Sequence, residues 1–124
     1  MSEQEDTPLH LRTVDGTMFL VRRSTARCMQ FVWNIIEESS NIDVIPLPKN
    51  IIATTLKEVV AWCDFHATRS TKDQSDFDET FFRSMGQDDV ARIMIAANFL
   101  GIEALMELSA MNIATRVSRE IGMT

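Results

Sequence analysis

Apolar and polar residues alternate near the start of the chain and then recur at intervals of three and four for most of the remainder. Residues 9–14 read LHLRTV, with Leu9 and Leu11 out of phase with His10 and Arg12, and residues 17–21 read TMFLV. A period of two marks half-buried strands. Asp15-Gly16 between the two runs marks a hairpin, because a tight turn of the primed type needs positive φ at both central positions. From Ser24 the period lengthens, and Cys28, Met29, Val32, Ile35 and Ile36 share one face of a helix that runs out in the polar residues from Glu37 to Asn41. Val44-Ile45-Pro46-Leu47-Pro48 is an extended apolar piece whose two prolines cannot donate to a ladder, so it is expected as an edge strand that leaves its sheet early.

Asn50 is the expected N-cap of a second helix, in which Ile52, Leu56, Val59, Val60 and Cys63 form an apolar face reaching to about His66. Residues 67–80, ATRSTKDQSDFDET, show no apolar period and are expected to form an exposed loop. Ser84 and Gln87 have the spacing of a capping box, and the run VARIMIAANFL that follows is apolar nearly all round, as befits a helix in the middle of a domain. Gly101 can take the left-handed conformation that stops it. Ile102, Leu105, Met106, Ala110, Ile113 and Val117 then trace the stripe of one more helix. Asn98 and Phe99, at the end of the apolar run, raise a question: an amide there must find a partner or face something other than core.

With 124 residues, 45% of them hydrophobic and 24% charged, the chain fits one soluble domain, residues 9–124, after a disordered N-terminus over residues 1–8. No segment approaches the ~20 apolar residues of a membrane span, and MSEQEDTP is acidic where a secretion signal would be basic and then apolar, so an intracellular protein is expected. A formal charge of −6 argues against nucleic acid and anionic membranes as partners, since neither would release counterions to a surface short of cations. Protein partners are the simplest expectation.

The chemistry available for catalysis is thin. Cys28 and Cys63 are too few for a disulfide framework and sit at apolar helical phases, as buried thiols do. Cys63 and His66 have the spacing of half a metal site, but His10 is the only other histidine and no second pair completes a four-ligand shell, so no metal or cofactor is expected. The same pair, on one helix, lacks the converging geometry and oxyanion donors that acyl transfer requires. Asp76, Asp78 and Glu79 read as solvated loop carboxylates, and four ungrouped glycines offer nothing to cradle a phosphate.

Hairpin, helix, edge strand, helix, polar loop, buried helix, amphipathic helix: in this order the chain resembles the BTB/POZ fold, and within it the Skp family, the S-phase kinase-associated adaptors of SCF ubiquitin ligases. The residues that carry the resemblance are Val14-Asp15-Gly16, Ile45-Pro46-Leu47-Pro48, Val59-Val60-Ala61-Trp62-Cys63, Asp78-Glu79-Thr80-Phe81-Phe82 and above all Ile95-Ala96-Ala97-Asn98-Phe99-Leu100-Gly101-Ile102. The resemblance implies an α+β domain, a three-stranded sheet packed on a cluster of helices, that catalyses nothing and works in the cytoplasm and nucleus. It implies that Asn98 and Phe99 face the N-terminal domain of a cullin. It also implies that Val90 and Met94 on the buried helix, with Met106, Ala110 and Ile113 on the next, receive the F-box of interchangeable substrate receptors. Methionine suits a surface that must accept many sequences, because its unbranched chain repacks readily. The bland alternatives are that Asn98 caps its own helix with Phe99 in the core, and that the methionine stripe is ordinary core.

The chain also departs from the family. Phe77-Asp78 stands where a Trp-Asp pair is usual, and only Glu37 to Asp43 stands where a longer acidic stretch is usual. The family continues past a Gly-x-Thr, here Gly122-Met123-Thr124, into two further helices, so either a truncated chain or a divergent form with a reduced F-box interface is expected. Alternatives within the class are an Elongin C-like adaptor, against which Pro46-Leu47-Pro48 and Trp62-Cys63 weigh, and a self-associating BTB module that forms a homodimer through its apolar stripe. An enzyme using Cys63 and His66 is the alternative from another class.

Overall fold

β1 (Pro8–Arg12) and β2 (Met18–Arg22) form the antiparallel hairpin that the alternation predicts, with Leu9 opposite Val21 and Leu11 opposite Phe19. They belong to a computed structural model that describes residues 7–39 and 41–122. The expected disordered stretch therefore lies outside the described residues up to position 6, as do Met123 and Thr124 at the other end.

The hairpin turn differs from the expected two-residue form. Thr13 N–H donates to Thr17 O at 3.0 Å and Gly16 N–H to Thr13 O at 2.9 Å, which leaves a three-residue loop, and only Gly16 takes positive φ, at 92°. Asp15 avoids the left-handed region that costs a non-glycine residue strain. Its carboxylate accepts instead from the Thr13 hydroxyl and from Thr17 N–H, and those two bonds hold its pKa below the usual carboxylate range.

The helix expected from Ser24 is two helices, α1 (Arg23–Ala26) and α2 (Gln30–Glu38), separated by Met29 in an extended conformation. Periodicity cannot reveal this break, because Ala26, Met29, Val32 and Ile36 keep helical spacing across it and all four are buried. β3 (Val44–Pro46) is the edge strand predicted from its prolines. It runs parallel to β1 in the order β2-β1-β3, and its last ladder bond is Leu47 N–H to Arg12 O at 2.9 Å. Leu9, Leu11, Val21 and Ile45 fill the inner face of the sheet, while His10, flanked by Leu20 and Val44, lies on the other face.

α3 (Ala53–Thr68) begins after Ile52, so Asn50 does not cap it. α5 (Gln87–Leu100) begins after Gly86 with no side-chain cap, and the expected Ser84/Gln87 box does not form: Gln87 is the first helical residue, where the box needs it at the third. Asp88 and Asp89 in the first turn complement the helix dipole there.

The largest correction falls on residues 67–80. In place of a loop there is an eleven-residue helix, α4 (Thr71–Phe81), capped by the Ser70 hydroxyl, which accepts from Asp73 N–H at 3.3 Å. None of its residues is fully buried, so it has no apolar face for periodicity to detect. Side chains hold it to α3. The Phe77 and Phe65 rings stack at 4.1 Å, and Asp78 accepts from Trp62 Nε1 and pairs with His66 Nε2, each at 2.8 Å. Asp78 is thus a half-buried anchor and not the solvated loop carboxylate expected.

α5 is the central helix that its composition predicts, burying Val90, Ile93, Ala96, Ala97 and Leu100. α6 (Glu103–Glu120) follows across Gly101. The result is the expected α+β domain, a three-stranded mixed sheet with six helices among the described residues, around one core drawn from the sheet, α1 to α3, α5 and the first half of α6.

Candidate protein-interaction site

Gly101 decides what the end of α5 presents. It sits in the left-handed conformation at φ 76°, and from there Gly101 N–H reaches Asn98 O at 3.3 Å and Ile102 N–H reaches Ala97 O at 2.8 Å. These bonds satisfy the terminal carbonyls from the backbone, with Ile102 buried as the hydrophobic closure of the motif. The amide of Asn98 is not needed for capping. It is exposed and makes no hydrogen bond among the described residues, so the capping alternative does not hold. Phe99 is not sealed in the core either, being 37% exposed, with its ring tilted against Phe31 of α2 at 4.7 Å between centroids. Ile95, one turn earlier on the same side of α5, is 47% exposed.

The stripe assigned to the second surface divides. Val90 is fully buried and offers a partner nothing, a correction: at the first turn of α5 it faces the shared core. Met94, Met106 and Ile113 are half-buried and Ala110 is exposed, so these four retain accessible surface. A groove of about 340 Å³ joins the two surfaces, lined by Gln30, Asn98, Gly101, Glu103 and Met106.

Beyond Ser109, α6 buries no residue completely. Met111 is 67% and Ile121 64% exposed, and Val117 is exposed too. Arg116 braces this half of the helix. Its Nη1 donates to Met85 O at 2.8 Å, Nη2 to Phe82 O at 2.9 Å and Nε to Asn112 Oδ1 at 2.7 Å, tying α6 to the turn between α4 and α5. Met111, Ile121, Ile95 and Phe31 were not among the sequence-derived site residues. Ile95 could have been found by its spacing of four from Phe99; Phe31 could not, since it reaches the site from another helix.

Cys63 and His66 turn to different partners. Cys63 is fully buried, and contact with the Cys28 thiol together with burial pushes its pKa well above the usual thiol value, so the reactive thiolate is suppressed. His66 turns to Asp78, with its ring stacked on Trp62 at 3.7 Å. No three His, Cys, Asp or Glu side chains converge as metal ligands among the described residues, and no described helix is long and apolar enough to cross a membrane.

The family model described as Skp1 family, tetramerisation domain, matches residues 8–68, from β1 to the end of α3. The chain is 32% identical over 108 residues to SKP1-like protein 14 of Arabidopsis thaliana, an alignment that covers 86% of this chain and 72% of that protein. The chain belongs to the Skp1 family. Other members that it resembles are SKP1-like protein 5 of Arabidopsis thaliana, 26% identical over 93% of this chain and 75% of that one, and the E3 ubiquitin ligase complex SCF subunit sconC of Aspergillus fumigatus, 28% identical over 90% of this chain and 77% of its own length. Both exposed surfaces lie on α5 and α6, beyond the segment that the Skp1 family model matches, yet α5 packs on the α3 that it does match and α6 packs on α5.

Proposed function

We propose that this Skp1-family chain is a non-catalytic adaptor of an SCF-type E3 ubiquitin ligase, holding a cullin scaffold with Asn98 and Phe99 and F-box substrate receptors with Met94, Met106, Ala110 and Ile113. The reading rests first on the Asn98-Phe99 pair. An amide freed from capping beside a partly exposed ring gives apolar contact area with one orienting hydrogen bond, and aromatic residues are enriched at interface cores. Support comes also from relatives named as SCF subunits. On α6 a stripe that stays accessible while its first turns are anchored in the core can receive an apolar helix of a partner. An adaptor of this kind needs no active site. It fixes the distance between substrate receptor and scaffold, and a standard interface of roughly 1,600 Å² in total fits on a domain of this size.

The test is a pull-down with the wild type and an Asn98→Ala, Phe99→Ala double variant. Cullin recovery should fall sharply while F-box proteins stay bound; a Met106→Ala, Ile113→Ala variant should show the reverse. Cullin recovery that is indifferent to the first pair would show the surface to be assigned wrongly.

A further inference from the structure

Asn98 and Phe99 belong to one helix, but the surface around them belongs to two. Phe31 on α2 is half-buried and lies against the exposed Phe99 ring, tilted by 50° at 4.7 Å between centroids, within the favourable range for aromatic pairs. What brings α2 so near is Gly101. A Cβ at that position would meet Gln30 Cβ at 2.8 Å, closer than side-chain atoms tolerate, so the missing side chain lets the first turn of α2 sit against the end of α5. The close approach fixes the two rings relative to each other before any partner arrives.

Beside the rings, the groove at the end of α5 is bordered by the amides of Gln30 and Asn98 and by the carboxylate of Glu103. Ile95 extends the apolar strip back along α5, and the amides of Gln30, Asn34 and Asn98 lie beside it on α2 and α5. Gln30 Nε2 donates to Asn34 Oδ1 at 2.7 Å, which leaves the Gln30 carbonyl oxygen and the Asn34 amide hydrogens for a partner. Apolar centres bordered by amides and one carboxylate fit a partner helix that presents aliphatic or aromatic side chains with amide, hydroxyl or basic groups.

We propose that the cullin-facing site is a two-helix platform in which Phe31 of α2 and Ile95 of α5 are contact residues alongside Asn98 and Phe99. The proposal rests on the adaptor reading above. A partner laid on Phe99 meets Phe31 as part of the same surface, and Gly101 acts as the positioning residue that holds the two helices in register. Rigid aromatic anchors of this sort carry a large share of binding energy, because their contact area is gained at little cost in side-chain freedom.

The experiment measures binding of the full chain to a cullin N-terminal domain by calorimetry, with F-box peptide binding and the thermal melt of each variant alongside. Phe31→Ala and Ile95→Glu should each weaken cullin binding by about tenfold or more, the loss expected of an interface anchor, and leave F-box binding unchanged. Should Phe31→Ala lower the melting temperature or both affinities together, Ile95→Glu decides, since Ile95 is exposed and its change leaves the ring pair and the core intact. Wild-type cullin affinity in Ile95→Glu and in a folded Phe31→Ala variant, with binding lost in the Asn98→Ala, Phe99→Ala double variant, would overturn the platform and leave the adaptor reading standing. Wild-type affinity in the double variant would show the cullin-facing surface itself to be assigned wrongly, and would remove the platform with it.

Discussion

α5 and α6 meet at Gly101 and differ in what they owe to the core. α5 buries a residue in every turn from Val90 to Leu100, so its position is set by the interior, and the apolar side chains it exposes are Ile95 and Phe99. α6 starts alike, with Leu105 and Ser109 buried, but its remaining eleven residues bury none completely while presenting Met111 and Val117. Helices of this length owe most of their stability to packing of an apolar face. The first half of α6 has that support from the core, whereas the second half has only the half-buried Ile113 against it and relies on Arg116, which donates to Phe82 O and Met85 O outside the helix. Burial therefore builds one helix as a fixed wall, and a polar brace holds the other out as an arm. That contrast suits two kinds of partner: a rigid platform at the α5 end for a fixed scaffold, and a methionine-bearing, partly unpacked helix for receptors of varied sequence.

The sharpest break of this contrast is Leu100→Ala. Leu100 is fully buried where α5 ends, and emptying the site removes transfer energy and leaves a cavity, an expected loss of about 2–5 kcal/mol. Urea unfolding with an unchanged m-value would register it as a fall in the midpoint. A loss under about 1 kcal/mol would mean that the end of α5 can collapse and is not the fixed wall described.

Arg116→Ala should come next. It removes the brace, taking the Arg116 donor from Met85 O and leaving Phe82 O with Met85 N–H alone, for an expected cost of about 1–3 kcal/mol. The decisive readout is local: amide exchange in residues 110–120 should speed up while that of residues 90–100 stays at the global limit. Uniform acceleration along both helices would show that α6 unfolds only with the domain, and the contrast between the halves would fail.

How much of this could be read from the chain follows the same line between burial and bracing. The strands, the edge strand cut short at Pro46, the central position of α5 and its stop at Gly101 were all legible, because each follows from apolar period or from the backbone limits of proline and glycine. α4 was not legible. A helix that buries no residue shows no period, and what holds it, Phe77 on Phe65 and Asp78 on Trp62 and His66, joins positions twelve to sixteen apart that no local pattern links. The break at Met29 was hidden by spacing that a continuous helix would share, and Val90 was assigned to a surface by the resemblance, which an all-round apolar helix could not correct because it does not reveal which side is sealed. Asn98 and Phe99 stand at the end of the predicted helix, but their exposure depends on Gly101 closing the helix from its backbone, and the nearness of Phe31 depends on α2 crossing that glycine.

The smallest expected effect tests the arm directly. Met111 and Ile121 are about two-thirds exposed, at 67% and 64%, so replacing each by glutamine removes little buried area and should change stability by no more than about ±0.5 kcal/mol each. If the exposed arm is also where an apolar partner helix docks, the same two changes should weaken that partner's binding far more than they alter the melt. Dissociation should quicken more than association slows, since short-range contacts act mainly on the off-rate. A marked drop in the thermal midpoint of the isolated chain would instead place these side chains in an intramolecular contact or a self-association. A concentration dependence of that midpoint separates the two, because a dimer melts higher as it is concentrated and a lone domain does not.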